Sequence, residues 1–482
     1  MAKYLSYFVN IYTIHNVAKH CALKHVRKIS NCNRYYSSAL LVPGDKRSET
    51  FVFLTPCLDF DNIVENTEKL QQELSGRGLN INADDVKKMW MFYKSVNADK
   101  IKLQARYEEL IHKQKKFFGK TNLTAEEQIE SIKLKEQTKV VKNDLKSVKS
   151  IISDLQETVL LKMLHLPNEV DRRTPLEAPV VLKHVNTLNE YSDSKLRKNH
   201  VEIGKELGLL EYKNPMQYYL CNEAALFELG VLSYAGKVFS ANDMIRVAGA
   251  DFSRSVVVEG SGLNHEDPSD AFIIDDHCDV NKGSSNRMHL VGGASLISFL
   301  AMHTKQLINP NHLPVSYFST GRQYTPFRPG SASIGLFTVC QTSAAVAFVV
   351  VKDKNSEEYQ TQFEKLFNTV STLYGNICDH YQIVMRPASE LRPWESMRVS
   401  FELWSSFSKQ YIEVGHISAC GDYFSKRLLI AYQTPTGRDF PSVISGTVLS
   451  VPRLLGCLLE QNPEKFIIPS KIREHMPDYI SS

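Results

Sequence analysis

Residues 443–462 read VISGTVLSVPRLLGCLLEQN, and residues 411–427 read YIEVGHISACGDYFSKR. The first stretch predicts a helix from about 448 to 461, and the second includes most of a strand expected near 410–415. A further strand is expected just upstream, near 399–405. Strands that are followed by a closing helix favour an α+β domain with an antiparallel sheet.

Upstream of these stretches, from Pro167 onward, turn residues alternate with short apolar runs. Helices are expected at 199–209 and 221–237. The other runs have the length and composition of strands. They lie at 254–259, 271–274, 286–291, 315–324, 334–341 and 344–352.

Residues 84–164 carry two mostly apolar stripes with alternating three- and four-residue spacing, which is typical of a coiled-coil seam. Gly119 is suited to end the first helix, and Thr124 with Glu127 predicts a capping box that opens the second. We therefore expect an antiparallel helical hairpin whose arms of ~35 residues project roughly 50 Å. The stripes are Val86, Met89, Tyr93, Val96, Lys100, Leu103, Tyr107, Leu110, Gln114 and Phe117, then Leu134, Thr138, Val141, Leu145, Val148, Ile152, Leu155 and Val159.

The first 44 residues contain six basic residues and no acidic one. A basic, acid-free segment with apolar residues at helical spacing is typical of a mitochondrial transit peptide. Arg34, Tyr35 and Tyr36 resemble a matrix-protease cleavage site, which predicts a transit peptide at 1–36 and a location in the mitochondrial matrix. The alternative is a disordered basic tail that binds nucleic acid or a membrane.

The charge of the rest of the chain is uneven. The whole chain has 57 basic and 53 acidic residues, and removal of residues 1–36 leaves a net charge of −2. Residues 84–164 alone hold 17 basic and 12 acidic side chains, so a polyanion such as structured RNA should favour the hairpin. In the alternative interpretation the lysines are only the solvated face of a two-helix rod. The candidate RNA-binding residues are Lys113, Lys115, Lys116, Lys120, Lys142, Lys146 and Lys149, with Lys87 and Lys88 near the start.

Several other classes of site are not predicted. The longest apolar run, 344–351, is too short to cross a bilayer as a helix. The nine cysteines contain no C-x-x-C pair, which argues against a zinc knuckle or a redox dithiol. The cluster from Asp275 to Asp279 is interpreted as a solvated acidic turn rather than a metal site. We expect neither a metal nor a cofactor.

Several stretches in collinear order resemble the seryl-tRNA synthetases. They include LPNEV at 166–170, HVEIGKELGLLEY at 200–212 and IPSKIREHM at 468–476, besides the two stretches quoted first. The resemblance covers nearly the whole chain after the basic segment. It implies a class II synthetase body, a six-stranded antiparallel sheet with flanking helices that dimerises, and a coiled-coil arm that grips tRNA-Ser.

The same resemblance assigns an incomplete ATP site. Arg453 aligns with the family's ATP-gripping arginine and Glu413 with the carboxylate that helps to hold magnesium and ATP. Arg322 is the best candidate for the arginine that contacts the α-phosphate. The alternative is that these three residues remain as structural ion pairs or hydrogen-bonding groups between strands.

Many other positions depart from the family pattern. Gly292 and Ala294 stand where the serine-binding threonine and glutamate are expected, and Tyr324 stands where motif 2 has a glutamate. Thr338 and Cys340 replace an arginine and a histidine, and Thr447 replaces a serine. Each lost transition-state donor costs roughly 10²–10³ in rate, so we expect no aminoacylation.

The sequence thus predicts three segments: a transit peptide at 1–36, a tRNA-binding-like domain at 37–165 with its arm at 84–164, and a degenerate synthetase body at 166–482. We expect an inactive paralogue in the mitochondrial matrix that forms a heterodimer with the authentic mitochondrial seryl-tRNA synthetase and supports tRNA-Ser binding and charging. Alternatives are a free-standing RNA-binding homodimer, a regulatory partner of a matrix protease or of the DNA-maintenance machinery, and an active ligase for another small molecule.

Overall fold

The computed structural model describes residues 38–40, 54–117, 124–186, 197–274, 287–327 and 335–477. Its contacts divide the chain into a short unit, Met1–Ser38, and a large unit, Ala39–Ser482. All the elements below belong to the large unit. The predicted transit peptide at 1–36 lies outside the described residues.

The N-terminal part of the large unit is helical, as predicted. Its long helices α3 and α4 run antiparallel, since Gln114 bonds to Thr138 and Tyr93 to Gln156. The predicted capping box is present: the Thr124 side chain accepts from the Glu127 N–H, and Glu127 accepts from the Thr124 N–H. Gly119 lies outside the described residues. The helices are α1 Phe60–Glu65, α2 Thr67–Gly76, α3 Ala83–Lys115, α4 Ala125–Leu155 and α5 Leu161–Leu164, with a π-helical turn at Gln156–Leu160 between the last two.

The base of this arm is fixed to the body by hydrogen bonds. The buried guanidinium of Arg77, just after α2, donates to the backbone carbonyls of Asn168 at 2.8 Å and Glu395 at 2.6 Å. Asn168, in the LPNEV stretch, donates to the carbonyls of Trp394 and Cys420 at 2.9 and 2.7 Å. This stretch therefore joins the arm to the sheet.

The body is built on an eight-stranded sheet with the order β1-β11-β12-β13-β16-β10-β9-β4. All neighbours in it are antiparallel except β4, a two-residue edge strand that runs parallel to β9. The class II architecture expected from the sequence is confirmed, with two strands more than the resemblance implied. The strands of this sheet are β1 Val180–Val185, β4 Ile245–Arg246, β9 Val315–Tyr324, β10 Gln341–Val351, β11 Tyr381–Met385, β12 Met397–Ser405, β13 Gln410–Gly421 and β16 Ser442–Ser450.

Smaller sheets and flanking helices complete the body. The smaller sheets have the orders β2-β3, β5-β7-β6 and β15-β14-β8. Their strands are β2 Leu210–Asn214, β3 Gln217–Leu220, β5 Phe252–Arg254, β6 Phe272–Ile274, β7 Met288–Leu290, β8 Leu307–Ile308, β14 Ala431–Thr434 and β15 Gly437–Asp439. The helices are α6 His200–Glu206, α7 Asn222–Ala241, α8 Ser255–Gly260, α9 Leu296–His303, α10 Glu357–Ile377, α11 Tyr423–Leu428, α12 Val451–Gln461 and α13 Ser470–Arg473.

Strand β10 shows where the core lies. Ala345, Ala347 and Val349 point into a cluster with α7, α10 and α12, whereas Val346 and Phe348 point into a second cluster with α9 and α11. Because side chains alternate along a strand, only a strand covered on both faces is apolar at every position. The long apolar run of the sequence is therefore an interior strand of the sheet that is covered on both faces.

The HVEIGKELGLLEY stretch contributes a buried polar contact. His200 at the start of α6 lies with Nδ1 2.7 Å from Oε1 of Glu460 in α12, and both side chains are almost fully buried. The backbone N–H of Leu336 lies 3.0 Å from the other ring nitrogen of His200. Three distant segments are thereby held together next to β10.

Two predicted strands are wrong. In the range 254–259, Arg254 ends β5 and all the following residues belong to helix α8. Valine favours strands, but nearly all of α8 is buried, and burial in the core can override this preference. Within the strand expected at 334–341, Gly335–Thr338 form a 3-10 turn before β10 begins at Gln341, and residue 334 lies outside the described residues. Gly335 has φ +68°, and a Cβ there would lie 2.5 Å from Nε2 of His200. The close approach of His200 thus requires a turn in place of the strand.

The remaining predicted elements differ only at their ends. The helix expected at 199–209 stops at Glu206, because Gly208 with φ +70° turns the chain into β2. The strand expected at 410–415 continues to Gly421. The closing helix begins at Val451 rather than at 448, with Pro452 in its first turn.

Candidate functional site

The first group of candidate residues surrounds Glu413, which lies on β13 beside β12. Its Oε2 accepts a hydrogen bond from Nε of Arg398 at 3.1 Å and from the Ser400 hydroxyl at 2.6 Å, and its Oε1 pairs with Nη2 of Arg398. Burial alone would raise the pKa of Glu413, but Arg398 and His416 outweigh it, and the pKa lies well below its ordinary value. Glu413 is therefore ionised and already paired within the protein.

Arg398 also contacts a second buried carboxylate. Its Nη1 lies 3.6 Å from Oε1 of Glu395, which accepts a 2.7 Å hydrogen bond from the Ser418 hydroxyl. Burial would raise the pKa of Glu395, but Arg398 and other nearby positive charge keep it below its ordinary value. The two carboxylates share one bidentate arginine, an arrangement that neutralises much of their charge without a metal.

Arg453, in the first turn of α12, is held by main-chain oxygens. Its Nε donates to the carbonyl of Phe337 at 3.1 Å, and its Nη1 donates to the carbonyl of Glu413 at 2.9 Å. Its Nη1 also lies 3.9 Å from the Glu413 carboxylate. The structure thus brings Arg453 and Glu413 together, as the resemblance implied, but the contacts are internal.

Arg322 has a different environment. It lies on β9, and its Nη2 is 2.9 Å from Oε1 of Glu228 in α7. Both residues line a cleft of about 530 Å³ together with Tyr218, whose hydroxyl donates to the carbonyl of Gln341 at 2.9 Å. Glu413 and Arg453 do not line this cleft. Arg322 is thus paired with a glutamate of another element.

Gly292 lies where the main chain is too crowded for a side chain. A Cβ at this position would lie 2.3 Å from the Arg322 carbonyl oxygen and 2.7 Å from the Cα of Gln323, and φ is +88°. Its neighbour Ala294 is fully buried, and its N–H donates to the Arg322 carbonyl at 3.0 Å. The loop that the sequence aligned with the serine-binding signature is therefore packed directly against β9.

The other positions that depart from the family have structural contacts. Tyr324 donates its N–H to the Val291 carbonyl at 3.1 Å, and Thr338 ends the 3-10 turn. Burial raises the pKa of the Cys340 thiol, which leaves it neutral. Thr447 of β16 donates to Oε1 of Gln323 in β9 at 3.2 Å, so this contact reaches across β10.

The candidate RNA-binding lysines divide between the two helices of the arm. On α3, Lys113 pairs with Glu109 at 2.7 Å, and Lys115 and Lys116 follow at the helix end. On α4, an exposed stripe with alternating spacing of four and three residues consists of Lys135, Lys139, Lys142, Lys146 and Lys149. Within the described part of the chain, none of these five forms an ion pair.

The sequence reasoning missed Lys135 and Lys139, although the heptad spacing used for the apolar seam would also have found them. Lys120 lies outside the described residues. The α4 stripe of five lysines extends over ~21 Å of helix. We refer to it below as the lysine stripe.

Two other kinds of feature are absent from the part of the chain that the structure describes. In the described residues, no group of three or more His, Cys, Asp or Glu side chains is arranged to hold a metal. The predicted acidic turn from Asp275 to Asp279 lies outside them. No described helix is long and apolar enough to cross a membrane.

Comparison with known proteins gives a consistent result. Residues 284–462 match the class II core domain of the tRNA synthetases for G, H, P, S and T. The serine–tRNA synthetase-like protein Slimp of Drosophila melanogaster is 30% identical over 455 residues, which cover 93% of each chain. The mitochondrial serine–tRNA ligase of Mus musculus is 24% identical over 67% of this chain and 64% of the ligase.

The fold agrees with these relatives. The seryl-tRNA synthetase of Pyrococcus horikoshii, whose crystal structure contains ATP, superposes with a TM-score of 0.71 at 18% identity and covers 87% of this chain and 98% of its own. That structural likeness shows the fold alone, whereas the 30% identity extends over nearly the whole of both chains. This chain therefore belongs to the family of seryl-tRNA synthetase-like proteins with a class II core.

Proposed function

We propose that this protein is a catalytically inactive member of the family that acts in the mitochondrial matrix. In this proposal it pairs with the authentic mitochondrial seryl-tRNA synthetase and supports that enzyme's stability, tRNA-Ser binding and charging reaction, and so mitochondrial translation. The observation that carries the proposal is the crowding at Gly292, which excludes a side chain from the position aligned with the serine-binding threonine.

The contacts of the candidate anion-binding residues support the proposed loss of catalytic activity. An adenylate-forming site has to present positive charge to phosphates and a carboxylate to magnesium. Here Glu413 is engaged by Arg398 and Ser400, and Arg322 is engaged by Glu228. Freeing Glu413 would mean breaking a largely buried charge pair, which typically costs about 3–5 kcal/mol when one partner is removed. The pair of Arg322 with Glu228 is more exposed and would cost less to break. Residual ATP binding is therefore expected to be weak.

The lysine stripe supports a role in RNA binding. Unpaired lysines at helical spacing can neutralise successive phosphates, whereas lysines already paired with carboxylates contribute less. Structured RNA is recognised mainly through its shape and its phosphate and 2′-hydroxyl groups. An exposed basic face on a long arm suits this mode, and the family resemblance makes tRNA-Ser the expected ligand.

Two exposed apolar surfaces support pairing with another class II subunit. Edge strand β1 presents Val180, Val181 and Leu182, which are 48, 45 and 46% exposed, and an uncovered apolar edge strand is a template for pairing with another chain. Met216 and Leu229 are also exposed beside the cleft that contains Arg322. Both surfaces have the character of a subunit interface.

The mitochondrial location rests on the basic, acid-free N-terminus and on the mitochondrial ligases among the relatives. Import is tested with the full chain carrying a C-terminal tag. We expect the tagged chain in the matrix fraction, shortened near Tyr36. An unshortened chain confined to the cytosol would contradict this part of the proposal.

The central experiment compares three samples: the purified protein, the mitochondrial seryl-tRNA synthetase, and the two expressed together. We expect no serine-dependent pyrophosphate exchange or tRNA charging by the protein alone, and a stable complex with faster charging than by the enzyme alone. Robust charging by the protein alone would refute inactivity. Purification without the enzyme, as an RNA-bound homodimer, would favour the free-standing alternative, which the lysine stripe also supports.

A further inference from the structure

Glu259, near the end of α8, is a buried carboxylate that contacts the backbone of Ala39 and Leu40. Its side chain is only 5% exposed. Oε2 accepts the backbone N–H of Ala39 at 2.6 Å and that of Leu40 at 3.0 Å, across more than 200 residues of sequence. Nε2 of His265 lies 3.8 Å from the same oxygen.

The contact is part of a packed core. Leu40 is 2% exposed and belongs to the cluster formed by residues of α8, α9 and α11, including Val257 and Phe299. A buried carboxylate is costly unless hydrogen bonds replace its water. Two main-chain donors supply part of that replacement, and any residue except proline at 39 and 40 provides them.

The contact lies close in sequence to the predicted end of the transit peptide. Ala39 is the third residue after Tyr36, where the sequence predicts the end of the transit peptide. A cut after Tyr36 retains both donors. A cut a few residues later, for example before Asp45, removes both donors and Leu40 and leaves Glu259 buried without them.

We propose that Glu259 is the receptor for the backbone of Ala39 and Leu40, and that N-terminal processing therefore ends before Ala39. The processing part of this proposal rests on the proposed import into mitochondria. The contact of Glu259 with Ala39 and Leu40 is independent of import, because it is a property of the folded chain.

The anchor is tested in the full-length chain by thermal unfolding. Ala39→Pro removes one N–H donor, and Ala39→Ser is the matched control that keeps it. We expect Ala39→Pro to lower the melting temperature by about 3 °C or more and Ala39→Ser to leave it within about 1 °C. Glu259→Ala should also lower it, and Glu259→Gln, which keeps an acceptor oxygen, should lower it less.

A double variant distinguishes the specific contact from general damage. If Ala39 and Glu259 act through one hydrogen bond, Ala39→Pro with Glu259→Ala loses clearly less than the sum of the two single losses. Strict additivity, or an unchanged melting temperature in Ala39→Pro, would overturn the anchor. If Ala39→Pro fails to fold, the full chain with Glu259→Gln decides, since a melting temperature equal to that of Glu259→Ala would overturn it.

The processing site is tested by the intact mass of the protein purified from mitochondria. We expect an N-terminus before Ala39, and one after Leu40 would overturn this part of the proposal. A chain that is never imported would refute the proposed location but would leave the unfolding results unaffected. The two failures are therefore distinguishable.

Discussion

At the scale of single residues, Gly292 and Glu413, two of the positions that the sequence aligns with the family's active site, are engaged in contacts within the protein. Gly292 lies against the backbone of β9, and Glu413 is bonded to Arg398 and Ser400. The sequence predicts that the serine-binding threonine and glutamate are absent near Gly292, but not that the main chain of β9 leaves no room for a side chain there. That information depends on the register of distant segments.

Restoring the family's residue at 292 should therefore damage the fold instead of recovering activity. We expect Gly292→Thr and Gly292→Ala to lower the free energy of unfolding by about 3 kcal/mol or more, because of both the clash and the positive φ. Gly78→Ala is the matched control: its φ is +70° but its Cβ would have no neighbour within 4 Å, so it should cost only about 1–2 kcal/mol. Urea unfolding measures both, and equal losses would contradict the crowding.

Arg398 should be essential for stability because it balances two buried carboxylates. Arg398→Ala is expected to cost about 3–5 kcal/mol, since Glu413 and Glu395 lose their main positive partner. In the double variant Arg398→Met with Glu413→Gln, most of that loss should be recovered, because one buried charge is removed with its partner. Urea unfolding at neutral pH compares them. A double variant as unstable as Arg398→Ala would show that Arg398 acts mainly through other contacts.

The same pair predicts the acid response. The pKa of Glu413 is below its ordinary value of 4.5 in the folded state, so its contribution to stability is complete above that pH. The contribution is lost as the pH falls below 4.5 toward the lower folded pKa. The unfolding free energy of the unaltered protein should therefore fall more steeply with acid than that of Glu413→Gln. Parallel pH profiles would contradict the low pKa.

At the scale of elements, the sequence predicts the two helices of the arm but not which of their lysines form ion pairs. Helices α3 and α4, their antiparallel direction and the capping box at Thr124 follow from apolar spacing and local hydrogen bonding. Which lysines are paired depends on side-chain geometry between neighbouring turns. The lysines Lys88, Lys102 and Lys113 of α3 face carboxylates, whereas the lysine stripe of α4 does not.

RNA binding should accordingly depend on α4 more than on α3. We expect Lys142→Gln, Lys146→Gln and Lys149→Gln together to weaken tRNA binding by roughly tenfold or more at low salt and to reduce the salt dependence by about 0.7–0.9 per lost phosphate contact. The matched control neutralises Lys88, Lys102 and Lys113, which keep carboxylate partners. Fluorescence anisotropy at several salt concentrations measures both sets. Equal losses would argue for an unspecific charge effect.

At the scale of the whole molecule, the α+β class, the collinear motifs and most of the large sheet could be predicted from the sequence. The valines at 256–258 were wrongly taken as part of a strand, since complete burial can override β propensity. The strand expected at 334–341 failed because His200 approaches Gly335 from far away in the sequence. The contact of Ala39 with Glu259 is equally long-range and has no local signal.

The exposed edge of the sheet should decide subunit pairing. We expect the double variant Val180→Lys with Leu182→Lys to weaken the proposed dimer strongly. The unfolding midpoint of the monomer should not change, because both side chains are about half exposed in the single chain. Ile129→Lys, at an exposed apolar position of α4 away from the sheet edge, is the control. Analytical ultracentrifugation of the protein alone and with its partner measures the effect. A fully retained dimer would place the interface elsewhere.

The joint at Arg77 has a mechanical consequence. Helix α3 is a rod of 33 residues, and a transverse force on its tip acts on the root with a lever of ~50 Å. Arg77 resists that torque with hydrogen bonds to two carbonyls of the body, those of Asn168 and Glu395, and the Glu395 side chain pairs with Arg398. A transverse force on the tip of α3 is therefore transmitted through the hydrogen bonds of Arg77 to the segment around Glu395 and its pair with Arg398.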